Sequence, residues 1–137
     1  MGSMSEQEMQ AFLEGPRIGH MVTLRPNGSP QAAPIWYEYR DGVFVVWTNR
    51  FTSRFKNISG DPRVVLSIAS EDEPYSYVAA KGIVTTSEVG VKETAMGIAE
   101  RYQGLEHGTA FVEEYYKEGV SILLALKPSR MVAWKND

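Results

Sequence analysis

The chain has 137 residues, enough for one domain, and a chain of this size hides about two thirds of its unfolded surface, which sustains one core without staples. Hydrophobic residues make up 43% and charged residues 23%, the balance of a globular chain rather than a disordered one. A net charge of -3 argues against a face that wraps nucleic acid, and the lack of cysteine excludes disulfides, thiolate nucleophiles and sulfur-bound zinc.

With only His20 and His107, a metal site built on several histidines is also disfavoured. No apolar run approaches the ~20 residues that span a bilayer. No basic region followed by an apolar stretch opens the chain, so the expectation is a cytoplasmic protein with no membrane partner. Met1 to Ser3 read as an expression-tag remnant ahead of a start at Met4, leaving 4–137 as a single domain.

Ser5-Glu6-Gln7-Glu8 has the pattern of a capping box, and Met9, Phe12 and Leu13 then share one face. This predicts an amphipathic helix over 5–14, ended by Gly15-Pro16. From Ile18 to Arg25 the period is two, with Ile18, His20, Val22 and Leu24 taken as the apolar face and His20 as a core or interface residue. Pro26-Asn27-Gly28-Ser29 reads as a hairpin turn, because Asn and Gly accept the positive φ it requires. Strands over 31–40 and 43–48, joined at Asp41-Gly42, would complete a three-stranded meander.

Thr52 or Ser53 can cap a short helix that Gly60-Asp61-Pro62 stops. Strands are expected over 63–70 and 75–88, the latter bulged at Gly82. Helices follow over 89–102 and 109–117, with His107 in the loop between them. The last strands fall over 120–126 and 131–134. Six or seven antiparallel strands with flanking helices make an α+β, mainly β barrel.

The segment from Arg50 to Arg63 carries the chemistry. Arg50, Arg54, Lys56 and Arg63 against one acid, Asp61, give +3 locally in an acidic chain. Thr52 and Ser53 stand at a helix N-terminus, whose free amides and positive dipole end attract anions. Arg54 and Lys56 add formal charge there, and an arginine grips two phosphate oxygens at once. The pattern suits a phosphate cradle; a solvated basic helix face is the alternative. No catalytic triad, carboxylate dyad or Gly-x-Ser-x-Gly elbow accompanies it, so no catalytic residue is assigned.

Pro30-Gln31-Ala32-Ala33-Pro34-Ile35-Trp36-Tyr37, Val45-Val46-Trp47-Thr48-Asn49, Ser53-Arg54-Phe55-Lys56-Asn57-Ile58 and Asp61-Pro62-Arg63-Val64 stand in an ordered set. Tyr75-Ser76-Tyr77-Val78, Gly82 and Pro128-Ser129-Arg130-Met131-Val132-Ala133-Trp134 extend it over nearly the whole chain. In this the chain resembles the pyridoxamine 5'-phosphate oxidase-like split-barrel flavoproteins, and within them the probable deazaflavin (coenzyme F-420)-dependent reductases. The resemblance implies a homodimer of six-stranded antiparallel split barrels with a flavin-type cofactor in each of two grooves between protomers.

It further implies that Arg54 holds the cofactor phosphate with help from Lys56, that Pro34, Ile35 and Trp36 lie along the ring, and that Thr48 and Asn49 border the phosphate or ribityl chain. Thr52, Ser53 and Tyr77 complete the expected cofactor-binding set. Two positions depart from the family pattern: Arg54 stands where lysine is usual, and Ser53 where a second basic residue often occurs. F-420 is favoured slightly over FMN.

The expected activity is hydride transfer between that cofactor and a small conjugated substrate. Such a cofactor does its own redox chemistry, which suits a chain without an acid–base pair. The alternative is a carrier or sensor that binds a flavin, a deazaflavin or a haem-type group without turnover. Trp36, Tyr37 and Trp47 suit either the flank of a planar ring or a strand core. Tyr75 and Tyr77 suit either the groove or an exposed strand face.

Overall fold

The computed structural model of the chain describes residues 2–136. Met1 and Asp137, at the ends of the expected segments 1–3 and 4–137, lie outside the described residues. Gly2–Ser3 form a short strand, β1, and Glu6–Glu14 the first helix, α1. Both halves of the capping box are present: Glu8 N donates to Ser5 Oγ at 3.1 Å and Ser5 N to Glu8 Oε1 at 2.9 Å.

The C-terminal carbonyls of α1 are taken up by groups from elsewhere. Arg17 donates to Phe12 O, the Tyr37 hydroxyl to Leu13 O at 3.0 Å, and Arg101 to Glu14 O at 2.7 Å and Gly15 O at 3.2 Å. Two guanidinium groups thus sit at the negative end of the helix dipole. This docks α1 onto the rest of the fold.

Strands β2 (Gly19–Leu24) and β3 (Pro30–Ile35) form the first hairpin, with Gly28 at φ 85°. The phase of β2 is opposite to the expectation. Met21 and Thr23 point inward, whereas His20 is exposed. The inward Thr23 hydroxyl is satisfied by Asn57 Nδ2 at 3.0 Å, so a polar residue occupies a core position at no cost in unpaired groups.

The expected strand over 31–40 is broken. After β3, Trp36 and Tyr37 leave the sheet, and β4 (Glu38–Arg40) resumes against β5 (Val43–Asn49). No three-stranded meander forms, because β3 pairs with β2 and β4 with β5. The remaining elements are α2 (Ser53–Gly60), β6 (Arg63–Ala69), β7 (Ser76–Ser87), α3 (Val91–Tyr115), β8 (Ser121–Leu126) and β9 (Arg130–Lys135). Among the described residues all nine strands, not six, belong to one antiparallel sheet, flanked by three helices.

The main strand order is β3-β2-β6-β7-β8-β5-β4, so two consecutive strands lie at opposite ends. Laid flat, seven strands would hold those ends about 29 Å apart, while Ile35 to Glu38 spans at most about 11 Å. The sheet therefore rolls up, and the seam between β3 and β4 is closed by the chain rather than by a hydrogen-bond ladder. Tyr37, Phe44, Leu66, Ile68, Val78, Leu124 and Leu126 fill the interior.

Gly82 is not a bulge in the β6 pairing, which runs unbroken from Arg63↔Ile83 to Ala69↔Tyr77. The irregularity lies opposite, where Lys127-Pro128-Ser129 joins β8 to β9 along the same edge of β7. A Cβ on Gly82 would stand 3.0 Å from Lys127 O, so close approach explains the glycine.

Helix α3 breaks at Gly104, whose φ of 82° and ψ of 171° suit glycine alone. Nine residues of straight helix would set Ala99 and Gly108 about 13 Å apart, yet a Cβ at Gly108 would come within 2.8 Å of Ala99 C. The second half has folded back onto the first, and His107 is helical rather than in a loop. Ala95, Ala99 and Val112 make a small second core against Trp36 and Trp47. Among the described residues no helix is long and apolar enough to cross a membrane.

Candidate functional site

Where β3 leaves the sheet, a cleft of about 380 Å³ opens between the seam, α2 and α3. Ile18, Pro34, Ile35, Trp36, Trp47, Arg54, Ile98 and Phe111 line it. The volume is in the range of small-ligand sites, and the walls are apolar and aromatic with one formal charge. Trp36 stacks on Tyr102 with centroids 5.1 Å apart and meets Phe111 at 5.0 Å. Phe111 also stands at 89° to Trp47, 5.9 Å away.

The charge is Arg54, on the first turn of α2. The N-cap Thr52 fixes that turn: its hydroxyl accepts from Phe55 N at 3.3 Å and donates to Asn49 O at 3.0 Å. Thr48, buried at the end of β5, lies 2.9 Å from the same hydroxyl. Of the four basic residues that make the segment positive, Arg50 is paired with Glu88 and Arg63 with Asp61. Arg54 has neither an ion pair nor a hydrogen-bond partner among the described residues, and its Nε is buried. Burial holds its pKa below the ordinary arginine value, the mark of a guanidinium partly stripped of water.

A desolvated cation without a counter-charge costs stability, and folded proteins retain one where a ligand supplies the anion. The donor set at this cleft, one guanidinium facing aromatic walls, fits a planar organic group carrying phosphate. It does not fit a metal ion. Among the described residues no group of three or more His, Asp or Glu is placed to hold one.

Of the residues singled out from the sequence, Pro34, Ile35, Trp36 and Arg54 come together along the cleft. Thr48 and Thr52 stand behind it as the scaffold of the α2 N-terminus. Asn49 ties elements together, donating to Tyr115 O at 3.2 Å and accepting from Ser121 Oγ at 2.5 Å. Ser53 and Lys56 are exposed on α2 and do not line the cleft. Tyr77 lies on the outer face of β7 against Trp134, centroids 5.7 Å apart. Tyr37 is fully buried in the barrel.

Trp47, which the sequence left open between ring flank and strand core, lines the cleft, and Ile18, Ile98 and Phe111 join it without having been singled out for it. Phe111 lies on a helix face whose spacing is that of ordinary core packing, so periodicity carries no sign of a ligand.

The family profile described as pyridoxamine 5'-phosphate oxidase matches residues 5–134. The chain belongs to the pyridoxamine 5'-phosphate oxidase family. None of the curated proteins matches its sequence. Among solved structures it is similar to the conserved hypothetical protein Rv2991 from Mycobacterium tuberculosis, with TM-score 0.82 and 23% identity over 96% of this chain and 85% of that one. An F420 reductase superposes with TM-score 0.77 and 24% identity, over 89% of this chain and 94% of the other. HutZ, the heme storage protein from Vibrio cholerae, does so with TM-score 0.72 and 14% identity, over 93% and 94%. The same fold thus serves proteins described as an F420 reductase and as a heme storage protein, and identities this low carry the fold rather than the ligand.

Proposed function

We propose that this chain is an oxidoreductase that holds a flavin-type cofactor in the cleft at the β3–β4 seam, F-420 in preference to FMN, and passes a hydride to or from a small conjugated substrate. The observation that carries this reading is Arg54, a partly buried guanidinium with no partner among the described residues, facing aromatic walls. A bound flavin or deazaflavin supplies the hydride chemistry. The chain supplies binding and orientation. Arg54 grips the phosphate, Trp36 and Phe111, in contact with each other, offer an apolar aromatic wall for the rings to lie against, and Ile18 and Ile98 keep water from them. The likeness to an F420 reductase supports the same choice.

A second reading, a module that binds without turnover, rests on the heme storage relative. The lining weighs against haem in this cleft, since it offers no His, Cys, Met or Tyr to ligate iron. A flavin carrier remains the form of this reading to test.

The same proposal makes the chain one half of a homodimer. Val65 and Ile83 are 39% and 60% exposed on the outer face of the rolled sheet, and Val22 and Leu24 beside them line a shallow apolar hollow. A largely apolar hollow of this kind, with Arg63 and Lys81 also in its lining, suits an association surface. Light scattering on the purified protein should give about twice 15.3 kDa.

Titration with F-420 and with FMN, followed by reduction and reoxidation with candidate acceptors, tests the whole reading. Saturable turnover supports the enzyme, and binding without turnover the carrier. If neither cofactor binds below about 100 μM, which corresponds to roughly 5.5 kcal/mol, the proposal fails.

A further inference from the structure

Three buried side-chain nitrogens lack a hydrogen-bond partner among the described residues: Trp47 Nε1, Arg54 Nε and Arg101 Nε. Arg101 is otherwise engaged, donating through both terminal nitrogens to the end of α1. The other two belong to residues that line one cleft. An unpaired buried donor costs about 1–3 kcal/mol, and such groups are rare in folded proteins. Two in a single cleft ask for a common cause.

The local sequence does not supply one. Trp47 lies in the middle of β5, pairing with Leu123 of β8, and alternation turns its indole out of the barrel toward α3. Packing calls for an apolar aromatic ring but not for a donor, and phenylalanine would supply the first without the second. Tryptophan at this position adds an N–H in a place where the described residues offer no acceptor.

We infer that the indole N–H of Trp47 is a ligand-reading donor: it takes a carbonyl or ring-nitrogen acceptor of the planar group, while Arg54 takes the phosphate. The inference rests on the functional reading above and adds the residue that recognises the ring. The N–H is sealed from bulk water beside the Phe111 ring, which stands at 89° to Trp47 on the folded-back half of α3, so the inference requires that ring to shift when the acceptor binds. A flavin or deazaflavin carries acceptors of this kind on its ring edge. A tetrapyrrole, whose nitrogens face its own metal, does not.

The experiment is calorimetric titration of the wild-type protein, Trp47→Phe and Arg54→Gln with FMN, F-420 and riboflavin, alongside urea unfolding of each protein. Trp47→Phe should weaken the binding of all three about fivefold, the loss of one neutral hydrogen bond worth ~1 kcal/mol, with no loss of stability. Arg54→Gln should weaken FMN and F-420 and leave riboflavin unchanged, since riboflavin has no phosphate. Trp47→Phe binding as tightly as the wild type overturns the inference and leaves the functional reading standing. So does a variant whose lost affinity is matched by lost stability, since that is a packing effect. A wild-type protein that binds none of the three overturns both.

Discussion

The indole of Trp36 lies parallel to the phenol ring of Tyr102, at 8° with centroids 5.1 Å apart. One ring belongs to the break between β3 and β4, the other to the first half of α3. The Tyr102 hydroxyl also donates to Arg17 O at 2.8 Å and accepts from Tyr37 N at 3.1 Å. A single side chain therefore holds the open seam, the segment after α1 and the aromatic wall of the cleft in register.

Tyr102→Phe keeps the stacked ring and removes the hydroxyl, leaving Tyr37 N–H without its acceptor. The expected cost is about 1–3 kcal/mol, the range for an unsatisfied buried group. Urea unfolding should show a lower midpoint at unchanged slope. A wild-type midpoint would mean that the hydroxyl holds nothing.

Arg54→Met should separate stability from binding. Methionine keeps a long side chain but removes a partly desolvated charge that has no partner among the described residues. Thermal unfolding should occur at the same temperature or a higher one. Affinity for FMN or F-420 should fall by more than tenfold, since a charge-assisted contact is worth about 1.5–3 kcal/mol. A destabilised variant would show that Arg54 has a structural role.

Gly97 and Gly108 lie in the two halves of α3 and should respond with opposite signs to alanine. A Cβ at Gly97 meets nothing within 4 Å, so Gly97→Ala should gain about 0.5–1 kcal/mol from helix propensity. At Gly108 the added carbon would sit 2.8–2.9 Å from Ala99 backbone atoms and Glu100 N. Gly108→Ala should therefore cost about 1–3 kcal/mol as the halves are forced apart. Equal effects in thermal melts would refute the folded-back packing.

Tyr37 gives the protein a dependence on alkaline pH. Burial pushes its pKa from 10.0 up to about 12 in the folded state. Between those values the unfolded chain has lost the phenolic proton and the folded one keeps it. Its contribution is thus fully present below pH 10 and declines as pH rises toward 12. Urea midpoints across this range should fall less steeply for Tyr37→Phe than for the wild type. Tyr39 and Tyr102, also raised by burial, retain their own share.

Local features were legible because they depend on neighbours in sequence. The Ser5 capping box, the turn at Gly28, the Thr52 cap and the stop after Gly60 lie within a few residues of the predicted places. The phase of β2 was not legible, since Val22 and Leu24 on one face and Met21 on the other are equally apolar. Only the Asn57 side chain, thirty-four positions from Thr23, makes Thr23 acceptable inside. The basic segment shows the same limit. Four cations look alike in the sequence; Asp61, two positions away, pairs with Arg63, but only the fold brings Glu88 to Arg50 and sets Arg54 in the cleft while Lys56 stays on the exposed face of α2.

The amino-acid order alone pointed to a mainly antiparallel β fold with a concentration of positive charge at the start of α2, because hydrophobic period, caps and turn residues act over a few bonds. The closing of the sheet at Trp36, the folding back of α3 and the meeting of Trp47, Phe111 and Arg54 around one hollow were decided by tertiary structure. Each depends on contacts between residues far apart in the chain, and no local spacing encodes which of several equivalent side chains will be left without a partner.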